Sequence, residues 1–433
     1  MMRTIDLRGR TLSLAELLDS VPRAEAARAE AFAAAARIVD DVARRGEDAL
    51  REQAEQFDGA TGHAIRVPAA HLEEALETLD PVVRSALEAA IVRVREASAA
   101  QVPAPSTTVL APGARVSQRW QPVRRVGVYV PGGKAVYPSS VVMNVVPAQV
   151  AGVQQVALAS PPQREFGGRV HPVILAAARL LGVDEVYAMG GAGAIGAFAH
   201  GVASLRLDPV DVVTGPGNNF VAAAKRAVAG RVGTDAEAGA TEILIVADDT
   251  ADPRLVAADL ISQAEHDEQA AAVLVTDSTA LADAVAQQVE AMADATRHRE
   301  RVKTALAGPQ SAIVLVDDRA TATAFSNAYA PEHLELHLDD PRPEEFGNAG
   351  AVFVGAHSPV SLGDYLAGSN HVLPTGGQAR YASGLSAATF LRPQQVIEYD
   401  RAALSEVRDA IVALAEAEAL PAHGEAITAR FEG

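Results

Sequence analysis

The feature that most constrains the fold is an alternation of short β-branched runs with alanine-rich stretches, which begins after Trp120. The runs read VGVYV, VALAS, EVYAM, VDVVT, EILIVA, AAVLVT, AIVLV and AVFVG. Apolar strands that are separated by helices are typical of parallel sheets covered on both faces. The pattern therefore predicts an α/β protein that is built from βαβ units.

The length of the chain and the distribution of its motifs divide this α/β protein further. A chain of 433 residues exceeds what one hydrophobic core usually holds. Helical patterns cover 25–56 and 69–101, glycine-rich turns cluster in 131–240, and titratable residues cluster after 260. We expect two Rossmann-like parallel-sheet α/β domains, a small N-terminal helical segment and a C-terminal tail domain. The predicted boundaries are 1–26 for the N-terminal segment, 27–128 with 241–385 for the domain with the titratable residues, 129–240 for the second α/β domain, and 386–433 for the tail, which has a helix over 402–418.

Composition disfavours several classes of partner and chemistry. The formal net charge of −18 repels nucleic acid and anionic membrane surfaces. The chain has no cysteine, which excludes disulfides, cysteine-ligated zinc, iron–sulfur clusters and thiol nucleophiles. The N-terminal sequence lacks the apolar core of a secretory signal, and no segment has the run of apolar residues that a membrane-spanning helix needs. These features predict a cytoplasmic protein.

Three of the predicted strands run into glycine-rich turns. The turns are Pro131-Gly132-Gly133, Gly190-Gly191-Ala192-Gly193 and Gly215-Pro216-Gly217-Asn218. Glycine lets the backbone approach a ligand closely, and the start of the next helix can face a phosphate, so the turns favour a dinucleotide or another phosphorylated ligand. The alternative is that they are packing turns. Gly191-x-Gly193-x-x-Gly196 matches the dinucleotide fingerprint, but no acidic residue ends the next strand, which favours an NAD-contacting turn of a different arrangement.

Polar side chains that suit metal binding and proton transfer follow residue 260. Gln263 and His266 are three residues apart in a helical pattern, so one helix face presents two metal ligands. Glu332 and His333 are neighbours after a proline, and they are candidate proton acceptors of different basicity. The alternatives are a structural histidine and an exposed Glu-His pair. Asp364 follows a strand in a glycine-containing loop and is a further candidate metal ligand.

Two residues of the tail, Glu418 and His423, extend this polar set. Together with Gln263, His266 and Asp364, His423 completes a set of two imidazoles and two oxygens without a thiolate. Such a set suits zinc, with manganese or cobalt as substitutes. The residues alone do not name the substrate. A zinc protease is disfavoured because the chain has no His-Glu-x-x-His motif.

Several long motifs resemble those of the histidinol dehydrogenase family. They are VGVYVPGG, TGPGNNFVAAAKR, ISQAEHDEQAAAVLVT, YAPEHLEL, SLGDYLAGSNHVLPT and SGLSAATFLR, and the resemblance covers about residues 25 to 433. It implies an enzyme that oxidises L-histidinol through histidinaldehyde to L-histidine with two NAD, the final steps of histidine biosynthesis. It also implies one zinc ion per subunit and a homodimer in which Glu418 and His423 of the tail complete the partner's site.

The resemblance further assigns roles to individual residues. The implied zinc ligands are Gln263, His266, Asp364 and His423, and the implied proton acceptors are Glu332 and His333. The implied substrate contacts are Thr241, Gln263, His266, His333, Asp364, His371, Glu418 and His423. NAD is expected against Tyr129, Gly193 and Asn218.

This sequence departs from the family pattern at two positions. Gly193 stands where the family has glutamine in an NAD-contacting turn, and Ala240 stands where proline is usual. The first departure bears on cofactor affinity, because losing one amide contact costs about 0.5–1.5 kcal/mol of binding unless another group replaces it. Two alternative functions stay open: a relative that oxidises another amino alcohol or a sulfonate-bearing alcohol, and a metal-dependent binding protein that has lost NAD binding at Gly193.

Overall fold

A computed structural model describes residues 2–23, 28–132, 136–236 and 239–432 of the chain. Gly133, in the first of the predicted glycine-rich turns, lies outside these residues. The strands are β1 (Arg3–Asp6), β2 (Ser106–Ala111), β3 (Ala114–Pro122), β4 (Arg125–Tyr129), β5 (Gln155–Ser160), β6 (Glu185–Ala188), β7 (Val212–Thr214), β8 (Gly233–Thr234), β9 (Glu242–Ala247), β10 (Ala271–Thr276), β11 (Ala312–Leu315), β12 (His333–His337), β13 (Ala351–Val354) and β14 (Leu391–Tyr399).

The α-helices separate most of these strands. They are α1 (Leu14–Ser20), α2 (Arg28–Arg45), α3 (Glu47–Gln53), α4 (Ala69–Glu77), α5 (Pro81–Ala100), α6 (Pro138–Val150), α7 (Pro172–Leu180), α8 (Gly191–His200), α9 (Asn219–Ala227), α10 (Pro253–Ala264), α11 (Thr279–Ala295), α12 (Arg299–Ala307), α13 (Arg319–Tyr329), α14 (Val360–Tyr365), α15 (Arg401–Ala417) and α16 (Pro421–Thr428). No helix in the described part of the chain is long and apolar enough to cross a membrane.

The chain forms two compact units. The larger holds Met1–Gln101 and Val123–Phe390, and the smaller holds Val102–Pro122 and Leu391–Gly433. The larger unit contains two parallel sheets with helices on their faces, which confirms the predicted α/β class. The four-segment division of the chain stays a prediction.

The first sheet of the larger unit has six parallel strands in the order β1-β11-β10-β9-β12-β13. Alternate residues of β9 and β10 pack on opposite faces, against α10 to α12 on one side and α13 on the other. The apolar runs predicted β9, β10, β11 and β13. Two strands were missed: β1, which contributes an edge strand to this sheet, and β12, whose sequence HLELH alternates apolar and polar residues.

The second sheet of the larger unit has five parallel strands in the order β6-β5-β4-β7-β8. Helices α2, α8 and α9 share one apolar core with it. Helix α6 is buried along most of its length. Each predicted glycine-rich turn follows the carboxyl end of a strand in this sheet, namely β4, β6 and β7.

The smaller unit is an antiparallel sheet in the order β14-β3-β2, followed by the paired helices α15 and α16. The helix predicted over 402–418 is confirmed as α15. None of the three strands was predicted, because they are largely exposed and polar and carry no apolar run.

Candidate functional site

The central part of the site lies at the amino ends of β9 and β12 in the six-stranded sheet. Thr241 precedes β9, Glu332 precedes β12, and His333 is the first residue of β12. The two strands are parallel neighbours, with His333 paired to Ile243. Residues about 90 positions apart in the chain are therefore brought into contact by strand order alone.

A chain of hydrogen bonds connects three of the predicted site residues. Gln263 donates from Nε2 to Thr241 Oγ1, and Thr241 donates from Oγ1 to Glu332 Oε2 at 2.5 Å. The backbone N–H of Glu242 donates to the same carboxylate oxygen at 2.8 Å. Because the Gln263 amide group donates through its nitrogen, its oxygen is the atom left for a ligand.

Burial controls the protonation of Glu332. Desolvation raises the pKa of its carboxyl to about 8, the charge of Glu242 adds to the increase, and the bonds from Thr241 and the Glu242 backbone oppose it. Arg23 forms an ion pair with Glu242, with Nε 2.6 Å from Oε1. Glu332 is thus a buried carboxyl whose proton is exchanged close to neutral pH.

His333 is held as a neutral imidazole with a defined tautomer. Its Nδ1 lies 3.1 Å from the carbonyl oxygen of Glu242, which can only accept, so Nδ1 carries the proton and Nε2 is the basic nitrogen. Burial lowers the pKa of His333. The same Nδ1 lies 3.5 Å from Glu332 Oε2, so the two predicted proton acceptors are adjacent.

The predicted metal ligands of the larger unit occupy two elements beside this pair. Gln263 is in the last turn of α10 and is buried. His266 was predicted on the same helix, but α10 ends at Ala264, so His266 follows the helix and its N–H bonds back to the Gln263 carbonyl at 3.3 Å. The side chain is accessible, yet the surrounding protein still desolvates it and lowers its pKa.

Asp364 lies in α14, which follows β13. Desolvation raises the pKa of this carboxyl to about 6, the charge of Glu332 adds to the increase, and His333 opposes it. His266 is in turn influenced by His333. These mutual electrostatic effects place His266, Glu332, His333 and Asp364 in one region of the larger unit.

The segment after α14 connects the two sheets. His371 has its Nδ1 3.0 Å from the Asp364 carbonyl and its Nε2 3.1 Å from Ser140 Oγ, in the first turn of α6. Asn370 donates to the Met143 carbonyl, also in α6, at 2.6 Å. The segment that follows Asp364 therefore contacts the helix that comes after β4 in the chain. Both His371 nitrogens have protein partners, so direct substrate contact requires displacement of Ser140.

At the carboxyl edge of the five-stranded sheet, Tyr129 ends β4 and its hydroxyl accepts the Gly191 N–H at 3.1 Å. Burial raises the pKa of Tyr129 to about 12. Gly193 lies in the first turn of α8. A Cβ at this position would collide with Gln53 Oε1, so the side-chain amide of Gln53 occupies the space that a side chain at 193 would need.

A buried ion pair supports the third glycine-rich turn. Gly215 has φ +119°, and a Cβ there would overlap the Tyr129 carbonyl oxygen, so only glycine fits. Buried Lys225 and Asp235 form an ion pair; Lys225 also donates to the Gly215 carbonyl, and Asp235 accepts the Gly215 N–H at 2.8 Å. Asn218 caps α9, and its Oδ1 accepts two backbone N–H groups.

Glu418 and His423 belong to the smaller unit. Glu418 follows the last residue of α15, His423 lies in α16, and both are exposed. The larger unit therefore holds three of the four predicted metal ligands, and the smaller unit holds the fourth.

Sequence analysis missed a second polar cluster. Within the described parts of the chain, the one group of three His, Asp or Glu side chains with ligand atoms within 4.8 Å of one another is Asp259, Glu335 and His337. It is not the predicted set. The available signals were the polar positions of HLELH and the position of Asp259 one helical turn before Gln263.

The fold and this site define an α/β protein that has a buried acid–base pair on one parallel sheet and glycine-rich turns on another. The chain matches the histidinol dehydrogenase family over residues 21–431. It is 64% identical to histidinol dehydrogenase from Leifsonia xyli, covering 100% of this chain and 99% of that protein, and 60% identical to the Thermobifida fusca protein, covering 99% and 97%. The crystal structure of histidinol dehydrogenase from Elizabethkingia anophelis superposes with a TM-score of 0.91 at 32% identity, covering 100% and 98%. The chain belongs to the histidinol dehydrogenase family.

Proposed function

We propose that the chain is an NAD-dependent L-histidinol dehydrogenase that converts L-histidinol, two NAD⁺ and water into L-histidine, two NADH and three protons, with histidinaldehyde as the intermediate. Family membership supports the substrate. The observation that carries the chemistry is the adjacent buried pair: a neutral His333 with a basic Nε2, and Glu332 with a pKa of about 8. A base for an alcohol and a base for water are the two groups that this double oxidation needs.

The residues of the site fit a zinc ion. Gln263 has its amide oxygen left for a ligand, His266 is a neutral imidazole, and Asp364 is a carboxylate that is partly desolvated. His423, from the smaller unit, would be the fourth ligand. Two imidazoles and two oxygens without a thiolate suit zinc. When bound, zinc would supply a Lewis acid for the substrate's imidazole and amine, and NAD would supply the hydride acceptor.

His333 and Glu332 divide the proton transfers between the two oxidations. His333 accepts the alcohol proton through Nε2, because Nδ1 is held by the Glu242 carbonyl. Glu332 takes a proton from the water that hydrates the aldehyde, and Thr241 keeps the carboxylate oriented. Aldehyde oxidation through a thiohemiacetal is excluded because the chain has no cysteine. The hydrated aldehyde is therefore the species that is oxidised in the second step.

NAD binds, in this proposal, at the carboxyl edge of the five-stranded sheet, against Tyr129, Gly193 and Asn218. The braced turn at Gly215 and the start of α8 support this placement, because close backbone approach and helix starts suit a pyrophosphate. Gln53 places an amide over Gly193. It stands in for the glutamine that the family pattern has at position 193.

The remaining assignments follow from the family. Substrate contacts are Thr241, Gln263, His266, His333, Asp364, His371, Glu418 and His423. The functional unit is a homodimer in which the tail delivers Glu418 and His423 to the partner's site; their exposure and their location in a separate compact unit support this. The enzyme acts in the cytoplasm.

The first experiment is to count NADH formed per L-histidinol consumed, before and after chelation. We expect two NADH per substrate, loss of turnover on chelation, and recovery with zinc. One NADH per substrate would contradict the role of Glu332 in the second oxidation. Zinc binding without any NADH would favour a different substrate or a non-catalytic binding protein.

A second experiment tests the zinc ligands directly. His266→Ala should lose bound zinc, measured by metal analysis of the purified protein, and turnover should fall with it. His71→Ala is the matched control, because His71 lies on α4, which packs against α7. Normal zinc content in His266→Ala would reject His266 as a ligand.

A further inference from the structure

Three polar side chains lie in an otherwise apolar layer between the six-stranded sheet and α10. Glu335 and His337 point to the same face of β12 as His333, where their neighbours on β9 are Ile245 and Ala247 of the apolar core. Glu335 is 1% exposed and His337 is 6% exposed. Buried charges are costly unless they are paired, so this placement requires an explanation beyond packing.

Glu335 accepts hydrogen bonds from two donors. Its Oε1 accepts the Val360 N–H at 2.8 Å, the first N–H of α14. The N-cap of that helix is Pro359, which provides no side-chain cap, so Glu335 caps the helix from a neighbouring strand. Its Oε2 lies 3.3 Å from His337 Nε2, which therefore carries the proton of that ring.

Asp259 completes the cluster from α10. Its carboxyl hydrogen-bonds Glu335, and its Oδ2 lies 3.9 Å from His337 Nε2. Burial raises the pKa of Asp259 to about 7, the charge of Glu335 adds to the increase, and His337 opposes it. Two carboxyls in contact share one proton, which links Asp259 to Glu335.

The elements that this cluster joins are the ones that carry the proposed site. Asp259 lies on α10 four residues before Gln263, Glu335 lies on β12 two residues after His333, and Val360 begins the helix that carries Asp364. The cluster therefore joins the three elements at points that are two to four residues from their functional side chains. None of the three cluster residues is among the predicted zinc ligands.

We propose that Asp259, Glu335 and His337 are positioning residues: a buried bracket that holds α10, β12 and α14 in the relative arrangement that zinc binding by Gln263, His266 and Asp364 requires. The metal part of this inference rests on the proposed function. The bracket acts through hydrogen bonds to the elements and touches neither the substrate nor the metal.

The test measures zinc affinity by chelator competition and backbone hydrogen exchange in α14, on the full-length protein. Glu335→Leu removes the cap of α14 and should speed exchange of the α14 amides several-fold. It should also weaken zinc binding ~10–100-fold, the range for residues that orient metal ligands. Glu335→Gln keeps an acceptor for the Val360 N–H and should recover most of both properties.

Glu185→Leu is the matched control. Glu185 also bonds a buried arginine and a tyrosine hydroxyl, but on β6 of the other sheet. It should lower stability without changing zinc affinity or α14 exchange. If Glu335→Leu does not fold, His337→Phe, which removes only the imidazole partner, should shift both properties in the same direction.

The outcomes separate the two proposals. Unchanged α14 exchange in Glu335→Leu, or unchanged zinc affinity despite faster exchange, overturns the bracket. A second zinc ion in the wild type that His337→Phe loses also overturns it, because the cluster would then be a metal site. Absence of zinc from the wild type overturns the metal part of the proposed function instead, and α14 exchange then decides the bracket.

Discussion

Apart from the edge strand β1, the two sheets of the larger unit have the same strand order, but they use opposite edges. With β1 left aside, the first strand of each sheet in the chain is central: β9 lies between β10 and β12, and β4 lies between β5 and β7. The five-stranded sheet presents glycine-rich turns at its carboxyl edge, whereas the six-stranded sheet presents Thr241, Glu332 and His333 at its amino edge. The same strand order thus carries a site made of backbone turns in one sheet and a site made of side chains in the other.

The difference follows from what each edge offers. Helices begin after the carboxyl ends of parallel strands, so that edge supplies free N–H groups and positive helix ends, and glycine lets a ligand approach them. Helices end before the amino ends, where such N–H groups are absent. A site there must be made of side chains, and its buried carboxyl and imidazole groups need partners, which Thr241 and the Glu242 backbone provide for Glu332 and His333.

The largest expected effect tests the site at the amino edge of the six-stranded sheet. His333→Ala removes the proposed proton acceptor for the alcohol and should lower kcat by about 10²–10⁴-fold while zinc content stays normal. Steady-state kinetics with metal analysis measures both. A kcat close to that of the wild type would show that the amino edge is not where the alcohol proton leaves.

The next effect tests the glycine-rich turns at the carboxyl edge of the five-stranded sheet. Lys225→Met leaves Asp235 buried without its partner beneath the Gly215 turn, which should cost about 3–5 kcal/mol of unfolding free energy. Urea unfolding measures the loss. The double variant Lys225→Met with Asp235→Asn should recover part of it, since no unpaired charge remains. A single variant as stable as the wild type would mean that the turn needs no brace.

A smaller effect tests whether Gln53 contributes to NAD binding beside Gly193. Gln53→Ala removes the amide over Gly193 and should raise the KM for NAD about 2–10-fold, the equivalent of one hydrogen bond. Gly193→Gln alone should also weaken NAD binding, because the new side chain collides with Gln53. The pair Gln53→Ala with Gly193→Gln should recover affinity. Additive losses in the pair would contradict the substitution of one glutamine for the other.

A pH-dependent effect concerns Asp58, whose carboxyl lies near Gly190 at the same edge. Burial raises its pKa from 3.8 to about 6, so between these pH values the folded chain binds more protons than the unfolded chain. The contribution of Asp58 to stability therefore falls as pH rises through this window. Asp58→Asn should gain stability relative to wild type from about pH 4 to pH 7, measured by urea unfolding at several pH values. A difference that does not vary with pH would contradict the raised pKa.

Apolar runs and motifs made much of this protein predictable. The strands β4, β5, β9, β10 and β11 are continuous apolar sequences, and a chain that buries both faces of a parallel sheet needs such sequences. Six long motifs, one of which contains Glu332 and His333, indicated the family. Strand β12 was missed because polar residues on its buried face interrupt the apolar run, and their partners lie elsewhere in the chain.

The sequence by itself determined the fold class, the two parallel sheets and the family, because local periodicity and long motifs are readable from neighbouring positions. Only the tertiary structure decided which residues meet. Thr241 contacts Glu332 because β9 and β12 are neighbours, Gln53 reaches Gly193 from another helix, and Glu335 caps α14 from β12. Each of these contacts joins segments that are far apart in the chain, and strand order and helix packing, which bring such segments together, depend on the whole core.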